Sequence, residues 1–364
     1  MIVLKTYNKQ DLETLIKSEE FSKFPFLPVS FHRAVSHTKN PRALENDTLL
    51  ILAFEDEKLA GYIGVLPDDI FHQDKKFHIG WLSTLFVHPD FRGKKIAQKL
   101  LSKACEEYDN HILITEFTPE AENMYLKSGN FEYLNPLYGR TFYYRFNLKE
   151  ILPAKKESYK KFQPLLRFTD FMGNAVLNLG YSVSSSDFKN VKITNKIDEE
   201  TADFIRKNEN HNSFSRNLEE LSWFINYPWI LHNSKKDSNE KREYLFSDYE
   251  PQFEYLILKI YDKDVLTDIL ILSVRNSTLK LHYWFGNSNS EKCAEVLHRY
   301  ILKNKIICFI CFHEKINHYL DTKFSLYKKE RIRKFFIHKE LKHRLDSEGF
   351  VFQAAAGDGD CIFF

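Results

Sequence analysis

The chain has 364 residues, 43% apolar and 28% charged, with a formal charge of +2. That length exceeds one ordinary core, so two domains are expected, and the balance of apolar and charged residues excludes a disordered or fibrous chain. The near-cancelling charge does not mark a nucleic-acid binder, which would need a broad basic surface.

In chain order, "IVLKTY" reads as a strand and "NKQDLETLIKSEE" as a capped helix. "SFHRAVSHTKN" is a second helix, ending before Pro41. "TLLILAFEDEKLAGYIGVL" gives two strands around an acidic turn, and "KFHIGWLSTLFV" a third. In "KKIAQKLLSKACEEY" the residues Ile96, Ala97, Leu100, Leu101, Ala104 and Tyr108 share one helical face. "HILITEF" is a short apolar strand; "PEAENMYLKSG" is a helix with Pro in its first turn and Gly at its end. "FEYL" and "RTFYYRFNL" are strands that close a segment of order β-α-α-β-β-β-α-β-α-β.

The lysine-rich stretch after residue 148, bounded by Pro153 and Pro164, reads as a junction. Beyond it a similar order returns: the strand "VKITNKI", helices at "DEETADFIRKN" and "NLEELSWFINY", and a polar loop "HNSKKDSNEKRE". Strands at "FEYLILKIY", "VLTDILILSV" and "LKLHYWF" come next, then the helix "SEKCAEVLHRYILKN", the strand "IICFICF", a short helix near "EKINHYL" and terminal strands. The basic run 321–345 reads as a strand with one solvated basic face. "AAAGDGDCIFF" reads as a tight turn before a final strand, too short for a twelve-residue calcium loop.

The cysteines, Cys105, Cys293, Cys308, Cys311 and Cys361, are odd in number and irregularly spaced, which implies no disulfide framework. Cys308 and Cys311 lie three apart in a strand, so their sulfurs should diverge; buried packing is expected, and no metal. "MIVLKTYNKQ" is not a secretory leader, and no apolar run approaches the ~18 residues of a membrane span. A cytoplasmic protein with no membrane partner is the expectation.

Arg92, Gly93, Lys94 and Lys95 stand between a strand and a helix start. A helix N-terminus offers unpaired N–H groups and a positive dipole end, glycine permits close approach, and the cations add charge. An anion site and a plain solvated turn both fit these four residues. The wider stretch "LFVHPDFRGKKIAQKLL" resembles the acetyl-coenzyme A signature of the GNAT family of N-acetyltransferases, Arg/Gln-x-x-Gly-x-Gly/Ala after a strand. Arg92 and Ala97 match its first and last positions, and Lys95 stands in place of the inner glycine. Downstream, "AENMYLKSGNFEYL" resembles the family's Ala-x-x-x-Tyr-x-x-x-Gly-Phe element, with Asn130 inserted before Phe131.

The resemblance covers about residues 1–148 and implies an α/β (α+β) fold of two GNAT-like domains, each a mixed, mostly antiparallel sheet flanked by helices. The domains would be 1–148, a linker 149–165, and a degenerate second domain 166–364 whose "GNSNS" lacks the arginine of a phosphate loop. It implies acetyl-CoA as cosubstrate, with the backbone of Leu85, Phe86 and Val87 along the pantetheine arm. The N–H groups of Gly93, Lys94, Lys95, Ile96 and Ala97 would hold the pyrophosphate beside Arg92, and Thr118 would lie by the pantetheine. Tyr125 would be the general acid, a phenol being protonated at neutral pH; a plain core aromatic is its other reading. The strand lacks the family's glutamate base, leaving His78 and Ser83 as its polar candidates and Glu116 at the end of the next strand. The implied activity is N-acetyl transfer to a primary amine of a small molecule, an amino sugar or sugar nucleotide ahead of an amino acid or polyamine. The alternatives are an acyl or aminoacyl transferase using a cleft between two such domains, and a non-catalytic coenzyme-binding module.

Overall fold

The computed structural model describes residues 1–180, 188, 190–208, 212–232, 242–286 and 289–363. The elements run β1 (Ile2–Tyr7), α1 (Lys9–Leu15), α2 (Glu19–Lys23), α3 (Phe31–Thr38), β2 (Leu50–Glu55), β3 (Lys58–His72) and β4 (Lys75–Val87). Next come α4 (Ile96–Glu107), β5 (Ile112–Thr115), α5 (Pro119–Ser128), β6 (Phe131–Tyr143), α6 (Leu148–Lys155), α7 (Gln163–Gly180) and β7 (Val191–Thr194). Then follow α8 (Glu199–Lys207), α9 (Leu218–Asn226), the two-residue strands β8 (Leu231–His232) and β9 (Tyr249–Glu250), β10 (Phe253–Asp262), β11 (Val265–Arg275) and β12 (Thr278–Gly286). The remainder is α10 (Ser290–Lys303), β13 (Cys308–Cys311), α11 (Glu314–Asp321), β14 (Tyr327–His338), α12 (Lys339–Ser347) and a 3-10 turn over Gly359–Phe363.

The chain folds as two compact units, and neither is one stretch of sequence. The first comprises Met1–Leu137, Glu209–Pro251 and Arg333–Phe364; the second comprises Tyr138–Asn208 and Gln252–Ile332. The expected division into 1–148, 149–165 and 166–364 follows chain order, and this one does not.

In the first unit the strand order is β1-β2-β3-β4-β5-β14, antiparallel throughout except for the parallel pair β4–β5. Local sequence accounts for its helices. Asn8 and Asp11 form a reciprocal capping box on α1, and Ser18 caps α2, which splits in two what reads as one helix. Thr118 caps α5 ahead of Pro119, and Gly129 closes it at φ +75°. One face of the sheet packs on α1–α3 through Leu12, Phe21, Ala34 and Tyr62. The other packs on α4 and α5 through Leu82, Leu100, Ile114 and Tyr125. Each large aliphatic or aromatic side chain so buried contributes about 1.5–3 kcal/mol.

In the second unit the order is β6-β13-β12-β11-β10-β7, with β12–β13 the one parallel pair. Three antiparallel strands, a helix, a parallel strand and a second helix thus appear in each unit, and both are mixed, mostly antiparallel sheets flanked by helices. Cys308 and Cys311 are buried in β13 with different partners, Thr278 and the His313 N–H.

Several expectations fail. "FEYL" and "RTFYYRFNL" join into the single strand β6. The junction is helical, with α6 and the start of α7 in it. The basic run divides into β14 and the helix α12, because the His338 side chain caps "KELKHRLDS" and stops the strand. The last residues form a buried 3-10 turn and no strand. Residues 233–241 of the polar loop, and Asn287 and Ser288 of "GNSNS", lie outside the described residues.

Candidate active site

β4 loses one neighbour before the other. Its parallel register with β5 ends at Leu82–Ile114, whereas its pairing with β3 continues to Val87–Gly61. At the point of parting the register slips, so that Ile63 alone faces Thr84 and Leu85, and Thr84 sits at φ +56°. A β-branched residue there is a steric outlier costing about 1–3 kcal/mol, held only because its surroundings demand it. Two glycines of β3 make the bulge possible. A Cβ on Gly64 would lie 2.8 Å from the Ser83 carbonyl oxygen, and one on Gly61 2.6 Å from that of Phe86. Phe86 and Val87 therefore keep sheet pairing on the β3 side only, and Leu85 lies in the bulge.

Beyond Val87 the chain turns through His88 and a 3-10 turn (Pro89–Phe91) into α4. Arg92 to Lys95 are exposed, Gly93 is at φ +82°, and nothing lies within 4 Å of where its Cβ would be. Lys95 is the helix N-cap in the left-handed conformation, φ +59°, with no side-chain cap. The substitution noted in the motif thus has a physical meaning: lysine adopts the geometry that glycine takes without strain. Lys94 pairs with Glu55, while Arg92 and Lys95 make no ion pair among the described residues. Open N–H groups at a 12-residue helix start, beside free cations, fit a pyrophosphate.

The other candidate residues separate. Tyr125 is 3% exposed among Phe117, Phe131 and Phe336, and its hydroxyl has no hydrogen-bond partner among the described residues. Burial, aided by the charge of Asp360, holds its pKa above the ordinary phenol value. Thr118 uses its oxygen to cap α5 at the Ala121 N–H. His78 lies between the carboxylates of Asp69 and Asp47, each at 2.9 Å. Partial burial opposes its charge, but the two carboxylates prevail and raise it to about 9, so it is an imidazolium at neutral pH and a poor base. Glu116 is exposed at φ +50° and pairs with Arg333 at 3.2 Å.

A group that the sequence reading left in a turn lies nearer the bulge. Asp360 is 5% exposed; its Oδ2 accepts from the Ser83 hydroxyl at 2.8 Å, and its Oδ1 has no partner among the described residues. Ser83, the residue just before Thr84, accepts in turn from Arg33 at 2.6 Å. Burial raises Asp360 to about 6, opposed by Arg33, Ser83 and Arg333 and assisted by Glu116. The turn is anchored two residues earlier, where Asp358 accepts from Arg216 at 2.9 Å. Arg216 also bonds Asp68, as does Arg42, which reaches Glu220. Burial works against the Asp68 charge, yet Arg216 and Arg42 outweigh it and hold that carboxyl at about 2. Only the alternation of Asp and Gly in "GDGD" hinted at any of this. A hollow of about 970 Å³ beside Phe24, Phe26, His88 and Phe91 includes none of Ser83, Tyr125 and Asp360. Among the described residues no His/Cys/Asp/Glu cluster could hold a metal ion, and no helix is long and apolar enough to cross a membrane.

The model of the Acetyltransferase (GNAT) family matches residues 12–129. No curated protein matches the chain. Among solved structures, a conserved protein of unknown function from Enterococcus faecalis V583, called a probable N-acyltransferase, is 11% identical. It aligns over 95% of this chain and 74% of its own with a TM-score of 0.51, which is a likeness of fold. A GCN5-related N-acetyltransferase from Kribbella flavida (8% identity, 92% and 71% covered) and the N-myristoyltransferase of Saccharomyces cerevisiae (12%, 93% and 79%) both align at 0.48. Residues 12–129, with their bulged strand and basic helix start, are an acetyltransferase domain of the GNAT family.

Proposed function

We propose that this protein transfers an acetyl group from acetyl-CoA to a primary amine of a small molecule, with an amino sugar or sugar nucleotide as the favoured acceptor class. The observation that carries the reading is the parting of β4 from β5 at a strained bulge, next to an open, basic helix N-terminus. Leu85, Phe86 and Val87 offer the pantetheine arm a strand edge, and Gly93 to Ala97 offer the pyrophosphate their N–H groups beside Arg92. The thioester supplies an acyl carbon open to attack by an amine. An ammonium with a pKa near 10.4 must first lose a proton, and Asp360 is a better acceptor for it than His78 or Glu116. It is ionised at neutral pH, has a free oxygen, and is close enough to Tyr125 to affect that phenol. Tyr125, kept protonated by burial, then donates to the departing thiolate.

Calorimetric titration with acetyl-CoA tests the first step. Micromolar binding by the wild type, lost in the double variant Arg92→Ala, Gly93→Asp, supports the assigned loop. A panel of amino sugars and alkylamines, followed by thiol release, then tests the acceptor class. A wild type that does not bind millimolar acetyl-CoA would overturn the proposal.

A further inference from the structure

The second unit carries an exposed apolar surface on α7. α7 is 18 residues long, and of its apolar side chains only Leu166 is fully buried. Leu165, Phe168, Met172, Val176 and Leu179, spaced three and four apart, form an exposed seam, widened by Phe171. Phe168, Phe171 and Leu179 are 60%, 70% and 87% exposed. Arg167 is the one exposed charge on the helix, since Asp170 is buried.

The seam is fixed facing outward. Asp170 accepts from the Leu148 and Lys149 N–H groups at 2.7 and 3.0 Å, capping α6. Asn174 bonds both backbone groups of Phe146, accepting at 3.0 Å and donating at 2.9 Å. Gly173 packs on the Phe146 ring, where a Cβ would come within 2.5 Å. These contacts hold the opposite side of the helix, so burying the seam by rotation would break several partly buried hydrogen bonds.

Charge distinguishes the possible occupants. Residues 148–180 carry six cations, Lys149, Lys155, Lys156, Lys160, Lys161 and Arg167, against Glu150, Glu157 and the buried Asp170. Two copies meeting at this seam would bring like charges together. An apolar stripe with phenylalanines, preceded along the chain by four exposed lysines, fits the boundary of an anionic bilayer, where a helix lies in the plane of the surface.

We propose that α7 docks the protein on anionic phospholipid surfaces, its apolar seam entering the acyl boundary while Lys155, Lys156, Lys160, Lys161 and Arg167 meet the headgroups. This is independent of the acyl-transfer reading. The test is co-sedimentation of the full chain with vesicles of phosphatidylglycerol and phosphatidylcholine, and with phosphatidylcholine alone. Binding should be at least tenfold tighter to the anionic vesicles and should weaken with salt. Phe168→Glu with Phe171→Glu should reduce it tenfold or more, and Lys160→Gln with Lys161→Gln about tenfold. Because the substituted residues are exposed, both variants should melt as the wild type does, which separates lost docking from lost folding. No sedimentation with anionic vesicles would overturn the proposal. So would a concentration-dependent dimer in sedimentation velocity that the phenylalanine variant abolishes, since a second copy would then own the seam.

Discussion

Replacing Asp360 by Asn should stabilise the protein in alkaline buffer far more than in acid. Burial, opposed by Arg33, Ser83 and Arg333 and aided by Glu116, raises its carboxyl from 3.8 to about 6. An acid whose folded pKa exceeds its unfolded one favours folding only while protonated. That contribution is complete below the unfolded value and is lost as pH rises through 6. Integrated between these values, the penalty on the wild type is about 1 kcal/mol at pH 4.5 and about 3 kcal/mol at pH 8. Asn keeps an oxygen for Ser83 and carries no charge. Urea unfolding of both proteins at the two pH values should therefore show the variant's advantage widening by about 2 kcal/mol. An advantage that does not change with pH, or a uniform loss, would refute the assignment of a strained, titrating carboxyl. On the proposed catalytic role, the same variant should lose about 100-fold in kcat and the acid limb of kcat/KM near pH 6.

Lys95→Gly should stabilise the chain by about 1 kcal/mol, since only the left-handed backbone at that position is strained; a denaturant midpoint checks it. Gly64→Ala should destabilise by about 1–3 kcal/mol, because the carbonyl oxygen 2.8 Å from the new Cβ belongs to a paired strand, and thermal unfolding reads it. His78, raised to about 9, contributes stability that is complete below pH 6.5 and is lost through pH 9. Discounted for its 25% exposure, His78→Ala should cost about 1–2 kcal/mol at pH 6 and little at pH 10, measured by paired melts. Tyr125→Phe should lower kcat with the acetyl-CoA affinity unchanged; equal affinity loss would make it a packing residue.

The first unit was legible where pattern and punctuation coincide. Ser30, Pro119 and Gly129 mark helix ends, and the apolar runs through "KLAGYIGVL" and "WLSTLFV" mark strands. The proposed coenzyme loop could be read for a different reason: Arg92, Gly93 and Ala97 lie within six residues, so their spacing is local. Asp360 could not, because its significance rests on Ser83, 277 residues away, and no periodicity connects two such positions. The α12 helix was missed because β14 ends in apolar residues and the following lysines continue its charge pattern; only the His338 cap separates them. The discontinuity of the units was missed for the same reason as Asp360, since composition changes along the chain while compactness is a property of contacts.

The placing of Asp358 and Asp360 has a consequence for biosynthesis. Residues 138–208 and 252–332 leave the ribosome before the last part of the first unit, so the second unit can finish folding first. The first cannot: most of the apolar end of strand β14, and the turn that meets Arg216 and Ser83, are made after the whole of the second unit. Until they arrive, Arg216, Arg42 and Asp68 lack part of their charge balance, and Thr115 and Trp81 lack the backbone of Gly359 against them. The proposed reaction centre is thus completed by residues that follow the whole of the second unit, which keeps a nascent chain from assembling it before that unit is made.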